Sequence, residues 1–171
     1  MSELFIVKVL LGTIFLFSGA IKLMNIKSFE KTLKSLDLGK RITKFVAFFI
    51  PLFELATFMV LFIPGYTIMG SIFIYVLLIC FSYAIWKAKY KKIKCNCFGS
   101  LTDEELGFNT IIKLSVLFIM NCILMAGNIL GKSIPAIVSV QEYVFAFIFS
   151  FLVIVLYSLC SLIILYKKSA V

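Results

Sequence analysis

Two cysteines one residue apart, Cys95 and Cys97, are the residues of this chain best suited to covalent chemistry. They lie in its longest polar stretch and follow a run of lysines at positions 87, 89, 91, 92 and 94. Because the thiolate is the reactive form of cysteine and nearby cations stabilise it, we expect the lysines to lower the pKa of both thiols. A disulfide across one intervening residue closes a strained, easily reduced ring. The pair is typical of a thiol–disulfide exchange site.

Two other interpretations of the cysteine pair stay open. Gly99 lies just after the second cysteine, and its conformational freedom lets the chain turn sharply there. The pair could instead be two unpaired thiols in a loop, since free cysteines often have no redox role. Two thiolates could also bind copper or zinc. The chain has no histidine and only two clustered thiols, which argues against a metal site. The lack of histidine also argues against haem, di-iron and Ser-His-type catalysis.

Composition places the cysteine pair in a membrane protein. The 171 residues are 63% hydrophobic, whereas soluble domains are near half apolar, and the mean hydropathy is +1.13. This composition predicts one integral membrane domain over residues 1–171. We expect an all-α bundle, because lipid cannot form hydrogen bonds with unpaired backbone N–H and C=O groups. The net charge of +9 comes from lysines beside apolar segments, which indicates contact with anionic head groups rather than with nucleic acid.

The apolar segments predict where the chain crosses the bilayer. They cover residues 4–24, 45–63, 67–86, 108–130 and 143–166, and each is about as long as a membrane crossing requires. Basic residues flank them mainly on one side, so we expect an N-terminus outside a bacterial plasma membrane and a C-terminus inside. The loop 87–107 with the cysteine pair then starts on the cytoplasmic side. The remaining cysteines, Cys80, Cys122 and Cys160, lie in apolar runs and are expected to pack as small hydrophobic residues.

Glu54 is the clearest polar residue inside a predicted span, three residues after Pro51, which is expected to kink that helix. A carboxylate at this depth is costly unless it is paired, so Glu54 is either a functional residue or a link between helices. The candidate cations are Lys22, Lys113 and Lys8. Lys22 and Lys8 lie near opposite ends of the first span, where each could instead extend to the interface.

Shorter patterns predict the connections. Phe29, Leu33 and Leu36 line one face of the basic segment 25–44, which predicts a helix on the membrane surface or a solvated connector. Pro64-Gly65-Tyr66 predicts a tight outer turn. Thr102-Asp103-Glu104-Glu105 matches a capping box and predicts a helix start. Asn109 and Lys113 share one face of the next helix, where they could orient the preceding loop or contact head groups.

Three segments carry a resemblance to a known family: Lys8 with residues 11–22 (LGTIFLFSGAIK), Pro51-Leu52-Phe53-Glu54, and Cys95-Asn96-Cys97-Phe98-Gly99. On these residues the chain resembles the methylamine utilisation MauE family, within the DoxX-like group of small membrane proteins, up to about Gly131. The resemblance implies a four-helix core, here with a fifth transmembrane helix, that takes part in the maturation of disulfide-containing partner proteins. It places Cys95 and Cys97 at the family's cysteine positions, and Lys8, Lys22 and Glu54 at its polar intramembrane positions. Lysine replaces the arginine that members often have at positions 8 and 113, which weakens any argument from bidentate guanidinium binding.

Two functions from different classes follow. The first is a membrane thiol–disulfide oxidoreductase, in which Cys97, nearer the coming helix N-terminus, attacks a partner disulfide and Cys95 resolves the mixed disulfide. Its partners would be a thioredoxin-like protein or another thiol protein, with a membrane quinone as a further candidate for electron exchange. The second is a non-enzymatic accessory protein that stabilises a partner during export or maturation. The sequence indicates neither the direction of electron flow nor an oligomeric state.

Overall fold

The computed structural model describes residues 3–36, 39–88, 108–130 and 140–169. All regular structure in these ranges is helical, which confirms the predicted all-α class. The helices are α1 (Glu3–Met24), α2 (Ile26–Ser35), α3 (Lys40–Phe62), α4 (Thr67–Ala88), α5 (Phe108–Ile129) and α6 (Val140–Ser169). Cys95, Cys97, Gly99 and the capping box at 102–105 lie outside the described residues.

Four of the described helices, α1, α3, α4 and α5, are long and apolar enough to cross a membrane. Each has 22 or 23 residues, which gives about 33 Å of helix against a hydrocarbon core of about 30 Å. The chain is therefore a multi-pass membrane protein with a polytopic helix bundle. In α6 the apolar stretch found among the described residues is the shorter Val144–Leu156, so a fifth crossing over 143–166 stays a prediction.

The first helix lies at the centre of the bundle. It contacts α2, α3, α5 and α6, and 56% of its apolar window is buried, against 28% for each of the other three spanning helices. Those outer helices expose large apolar side chains such as Phe48, Ile79 and Ile119 to the surroundings, as expected for lipid contact. The core between the helices is formed by Leu11, Phe15, Leu61, Ile74, Leu77, Leu78, Leu117 and Leu124.

Two ends of the bundle can be distinguished. At the turn end, the Tyr66 N–H donates to the Ile63 carbonyl at 3.2 Å, with Pro64 and a positive-φ Gly65 (φ +84°) between them. These are the features of a type II turn, so the tight turn predicted between the second and third spans is confirmed. At the opposite, basic end, α1 ends, α2 connects it to the start of α3, α4 ends and α5 begins.

The basic segment 25–44 forms two structures rather than one surface helix. Residues 26–35 form α2, and residues 40–44 already belong to α3, which begins five residues before the predicted span. Phe29, Leu33 and Leu36 do share one face, but this face packs against Ala47 and its neighbours on α3 and against α4. The predicted placement on the lipid surface is therefore wrong for this face, because neighbouring helices supply the apolar surface that covers it.

Candidate functional site

Glu54 and Lys22 form an ion pair inside the bundle. The Lys22 Nζ contacts Glu54 Oε1, and both side chains are almost completely buried, at 1% and 0% exposure. Ser18 joins the pair: its hydroxyl accepts a hydrogen bond from Lys22 Nζ at 2.9 Å and donates one to Glu54 Oε1 at 3.3 Å. Of the cations that the sequence offered, the structure therefore selects Lys22. These three residues, Ser18, Lys22 and Glu54, form a buried charged cluster that joins α1 to α3.

Aromatic rings enclose the amine of Lys22. Its Nζ lies 4.6 Å from the centre of the Phe81 ring on α4 and 5.6 Å from that of Phe29 on α2. An ammonium at these distances is attracted to the ring faces, and the attraction is stronger where water is excluded. In the folded bundle Lys22 does not extend to the interface, because its amine is held by Glu54 and lies between these two rings.

A glycine lets the two charged helices approach. A Cβ placed on Gly19 would lie 3.0 Å from the Pro51 carbonyl oxygen and 3.2 Å from the Glu54 Cβ. The backbones of α1 and α3 therefore meet within one turn of the ion pair, and Pro51 lies inside α3 at this contact. Small residues at such crossings are typical of membrane helix packing. The Ser18-Gly19 sequence thus supplies both a polar group and the space next to Glu54.

Lys8 is buried nearer the turn end, in different surroundings. It is 4% exposed, its Nζ donates to Thr67 Oγ1 at 3.4 Å, and the Phe62 ring centre lies 5.9 Å away. Among the described side chains, no carboxylate forms an ion pair with it. Lys8 therefore does not extend to the interface, which is contrary to the prediction; it lies against Phe62 at the end of α3 and Thr67 at the start of α4.

A small cavity lies beside the ion pair in the basic half of the bundle. Its volume is about 50 Å³, and its walls come from α1, α2, α3, α4 and α5. Phe29 and Phe81 line it and also enclose Lys22, while Ser18 contributes a hydroxyl. The cavity is therefore close to the charged cluster but walled mainly by apolar side chains.

The intramembrane cysteines that the structure describes do not meet. Cys80 and Cys122 are both free. The sulfur of Cys122 lies 3.2 Å from the Tyr75 hydroxyl. Cys80 is exposed, whereas Cys122 is partly buried. Cys80 and Cys122 thus provide no direct sulfur relay across the bundle.

The remaining predicted site residues lie near the start of α5. Lys113 is half-buried there, and Asn109 belongs to the first turn of the helix. The ion pair that the structure shows for Glu54 is with Lys22 on α1. Cys95, Cys97 and Gly99 belong to the chain that joins α4 to α5.

Sequence reasoning missed three contributors: Ser18, Phe81 and Thr67. Ser18 had a recognisable signal, because it lies four residues before Lys22 and so on the same face of α1. Phe81 and Thr67 had none, since one aromatic residue or threonine in an apolar run does not indicate which helix it faces. Their roles depend on how α4 is rotated against α1.

The outer face of α2 is polar and shows an ordinary surface ion pair. Lys34 contacts Glu30 at 2.8 Å, one helical turn apart. The hydrogen bond from Lys34 lowers the pKa of the Glu30 carboxyl. This pair is solvent-exposed, so it contributes little to stability compared with the buried pair.

Comparison with known proteins gives one family. The family model described as methylamine utilisation protein MauE matches residues 3–131. The matched range runs from α1 to just beyond α5 and contains the ion pair, Lys8 and the cysteine pair. No curated protein and no solved structure gives a match.

Proposed function

Because the chain belongs to the MauE family, we propose that it is a membrane thiol–disulfide exchange protein in which Cys95 and Cys97 support disulfide maturation of a partner protein. The observation that carries the proposal is the Cys-x-Cys pair in the connection between two packed membrane helices, within the family match. α4 ends at Ala88 and α5 begins at Phe108, both at the basic end. The connection is therefore anchored at one end of the bundle.

The proposed chemistry uses both sulfurs in turn. One thiolate, Cys97 by its position nearer α5, attacks a partner disulfide, and the partner's leaving sulfur departs as a thiolate. Cys95 then attacks the mixed disulfide and releases the partner's second thiolate. Two electrons have moved to the partner, and a Cys95–Cys97 disulfide remains. The reverse sequence oxidises a partner dithiol. After the first sequence, the dithiol of a reduced thioredoxin-like protein would reduce the Cys95–Cys97 disulfide again. After the reverse sequence, a membrane quinone would accept the two electrons and two protons of the Cys95–Cys97 dithiol.

The buried polar residues have supporting roles in this proposal. The Lys22–Glu54 pair fixes α1 against α3, and Phe81 extends the same contact to α4, whose last residue leads into the cysteine connection. Lys8 fixes the other end of α4 through Thr67, while Asn109 and Lys113 would orient the connection where it enters α5. The concentration of basic residues supports a cytoplasmic location for this end of the bundle.

Serine variants test the proposal. In cells producing Cys95→Ser, Cys97→Ser or the double variant, the thiols of this chain and of its partner are alkylated and resolved by mass shift. We expect Cys95→Ser to accumulate a mixed disulfide with the partner, and the double variant to abolish change in the partner's redox state. Cys80→Ser, which removes an exposed thiol on α4, is the matched control.

The same assay distinguishes the two function classes. Thiol exchange is contradicted if Cys95 and Cys97 stay reduced and the partner's redox state is unaltered in the double variant. This result would favour an accessory protein that acts through its helix faces. Labelling with a membrane-impermeant maleimide from each side of the membrane tests the cytoplasmic location. Reaction only from the outer side would show that the predicted orientation is reversed.

A further inference from the structure

Two buried polar residues on neighbouring helices, Asn121 on α5 and Ser71 on α4, have hydrogen-bonding groups that the helices do not use. Both side chains are 0% exposed. The Asn121 Nδ2 donates to the Ser71 backbone carbonyl at 3.0 Å, so the two residues are in contact. Among the described residues, neither the Asn121 Oδ1 nor the Ser71 hydroxyl has a hydrogen-bond partner. Because unpaired polar groups are rare and destabilising in an interior, a polar ligand is expected beside them.

Lys8 brings unused donors to the same region. Its ammonium has three N–H groups, and its one hydrogen bond to a described residue is the long contact of 3.4 Å to the Thr67 hydroxyl. Thr67 and Ser71 lie one turn apart on the same face of α4. A row of polar groups therefore runs from Lys8 on α1 along α4 to Asn121 on α5.

The packing of α1 against α5 places Lys8 and Asn121 at a similar depth. Leu4 on α1 lies against Gly127 on α5, where its side chain occupies the space that a Cβ on Gly127 would need. From this contact Lys8 is four residues, or about 6 Å, along α1, and Asn121 is six residues, or about 9 Å, along α5. Both steps lead away from the turn end, so the two levels differ by only about 3 Å.

Water is the ligand that matches these groups. The Lys8 ammonium can only donate, the Asn121 Oδ1 can only accept, and the Ser71 hydroxyl can do both. A buried water takes two to four such partners, donors and acceptors together. An anion would face the Asn121 oxygen, and a hydrocarbon would leave all three groups unpaired. Lys8 and Thr67 keep 4% and 6% exposure, which places the entry for water at the turn end.

We propose that Lys8, Ser71 and Asn121 bind at least one ordered water molecule between α1, α4 and α5. This water hydrates the Lys8 ammonium inside the bundle, where no carboxylate among the described side chains forms an ion pair with it. It also joins α4 to α5 beside the direct hydrogen bond of Asn121. The site uses no cysteine, so it is independent of the proposed thiol exchange.

Solid-state NMR of the full-length chain in lipid vesicles tests this water directly. In the ¹⁵N-labelled chain, magnetisation is transferred from water protons to nearby N–H groups, and early transfer reports contact with water. The Asn121 side-chain amide should receive it as early as that of the exposed Asn25, although Asn121 is 0% exposed. The backbone N–H groups of Leu61 and Leu77, in the apolar core, should receive it late. An Asn121 amide as late as these two would show a dry site and overturn the proposal.

Matched serine variants locate the water. Ser71→Ala removes one of its partners and should delay the transfer to the Asn121 amide. Ser150→Ala removes a similarly buried and unpartnered hydroxyl from α6, 1% exposed, and should leave the transfer unchanged. Equal delays in both variants, or no delay in Ser71→Ala, would contradict the assigned site. A Lys8 Nζ signal that shifts when chloride is replaced by nitrate would also overturn the proposal, because the ligand would then be an anion.

Discussion

Two lysines of α1, Lys22 and Lys8, are buried to nearly the same extent, at 2% and 4% exposure, but in opposite chemical surroundings. Lys22 contacts a carboxylate and a hydroxyl and is enclosed by two rings. Lys8 has a single long hydrogen bond to Thr67 and a more distant ring. Burial alone therefore does not indicate what a charge contributes. The stability of the protein should depend on the Lys22 region far more than on the Lys8 region.

The largest effect should come from removing one charge of the buried pair. Glu54→Leu leaves the Lys22 ammonium without a counter-charge in a dry site, which should cost about 3–5 kcal/mol of the free energy of unfolding. Denaturant titration in detergent micelles measures this loss. The double variant Lys22→Met/Glu54→Leu should recover most of it, because apolar residues can replace a buried pair without leaving a charge behind. If the double variant is as unstable as Glu54→Leu, the pair stabilises the fold beyond the neutralisation of one charge by the other.

Two glycines of α1 sharpen the comparison between the regions. Gly19→Ala, beside the ion pair, places a methyl group against the Pro51 carbonyl oxygen, a backbone atom that cannot move alone, and should cost about 1–3 kcal/mol. Gly12→Ala, on the Lys8 side, meets the outer edge of the Phe62 ring at 2.5 Å, an atom of a side chain rather than of the backbone. Its cost should be clearly smaller in the same titration. Equal losses would mean that α1 and α3 are packed with equal rigidity along their whole contact.

The smallest effect should come from Lys8. Lys8→Met keeps the length of the side chain and removes a buried charge that no described carboxylate compensates, so the stability should change by no more than about 1 kcal/mol. Thr67→Val, which removes the hydroxyl acceptor, should be slightly worse, because the ammonium then loses its hydrogen bond. Thermal unfolding of both variants in detergent gives the order. If Lys8→Met loses as much stability as Glu54→Leu, Lys8 must have an anionic partner.

The sequence predicted the helices well because long apolar runs in lipid have few alternatives. The Pro64-Gly65 turn was equally predictable, since its backbone angles require these residue types. The partner of Glu54 was not, because Lys22, Lys113 and Lys8 all satisfied the charge rule. Only the close approach at Gly19 and the rotation of α1 against α3 select Lys22. The chain itself contained one further clue, Ser18 on the Lys22 face of α1.

The face of α2 shows where a pattern is correct and its interpretation is not. Phe29, Leu33 and Leu36 were identified as one apolar face, and they form one. An amphipathic pattern states that a face is covered but not whether lipid or protein covers it. The proposed reactivity of Cys95 and Cys97 stays a prediction of the same kind, based on residue types and spacing.

The order of synthesis gives the Lys22–Glu54 pair a consequence during biogenesis. Glu54 is translated 32 residues after Lys22, a delay of about two to six seconds at ordinary elongation rates. Throughout that interval the nascent first helix carries an ammonium with no counter-ion. Because Lys22 is two residues from the end of α1, the amine can wait among the lipid head groups and withdraw into the bundle only when the third helix leaves the insertion machinery.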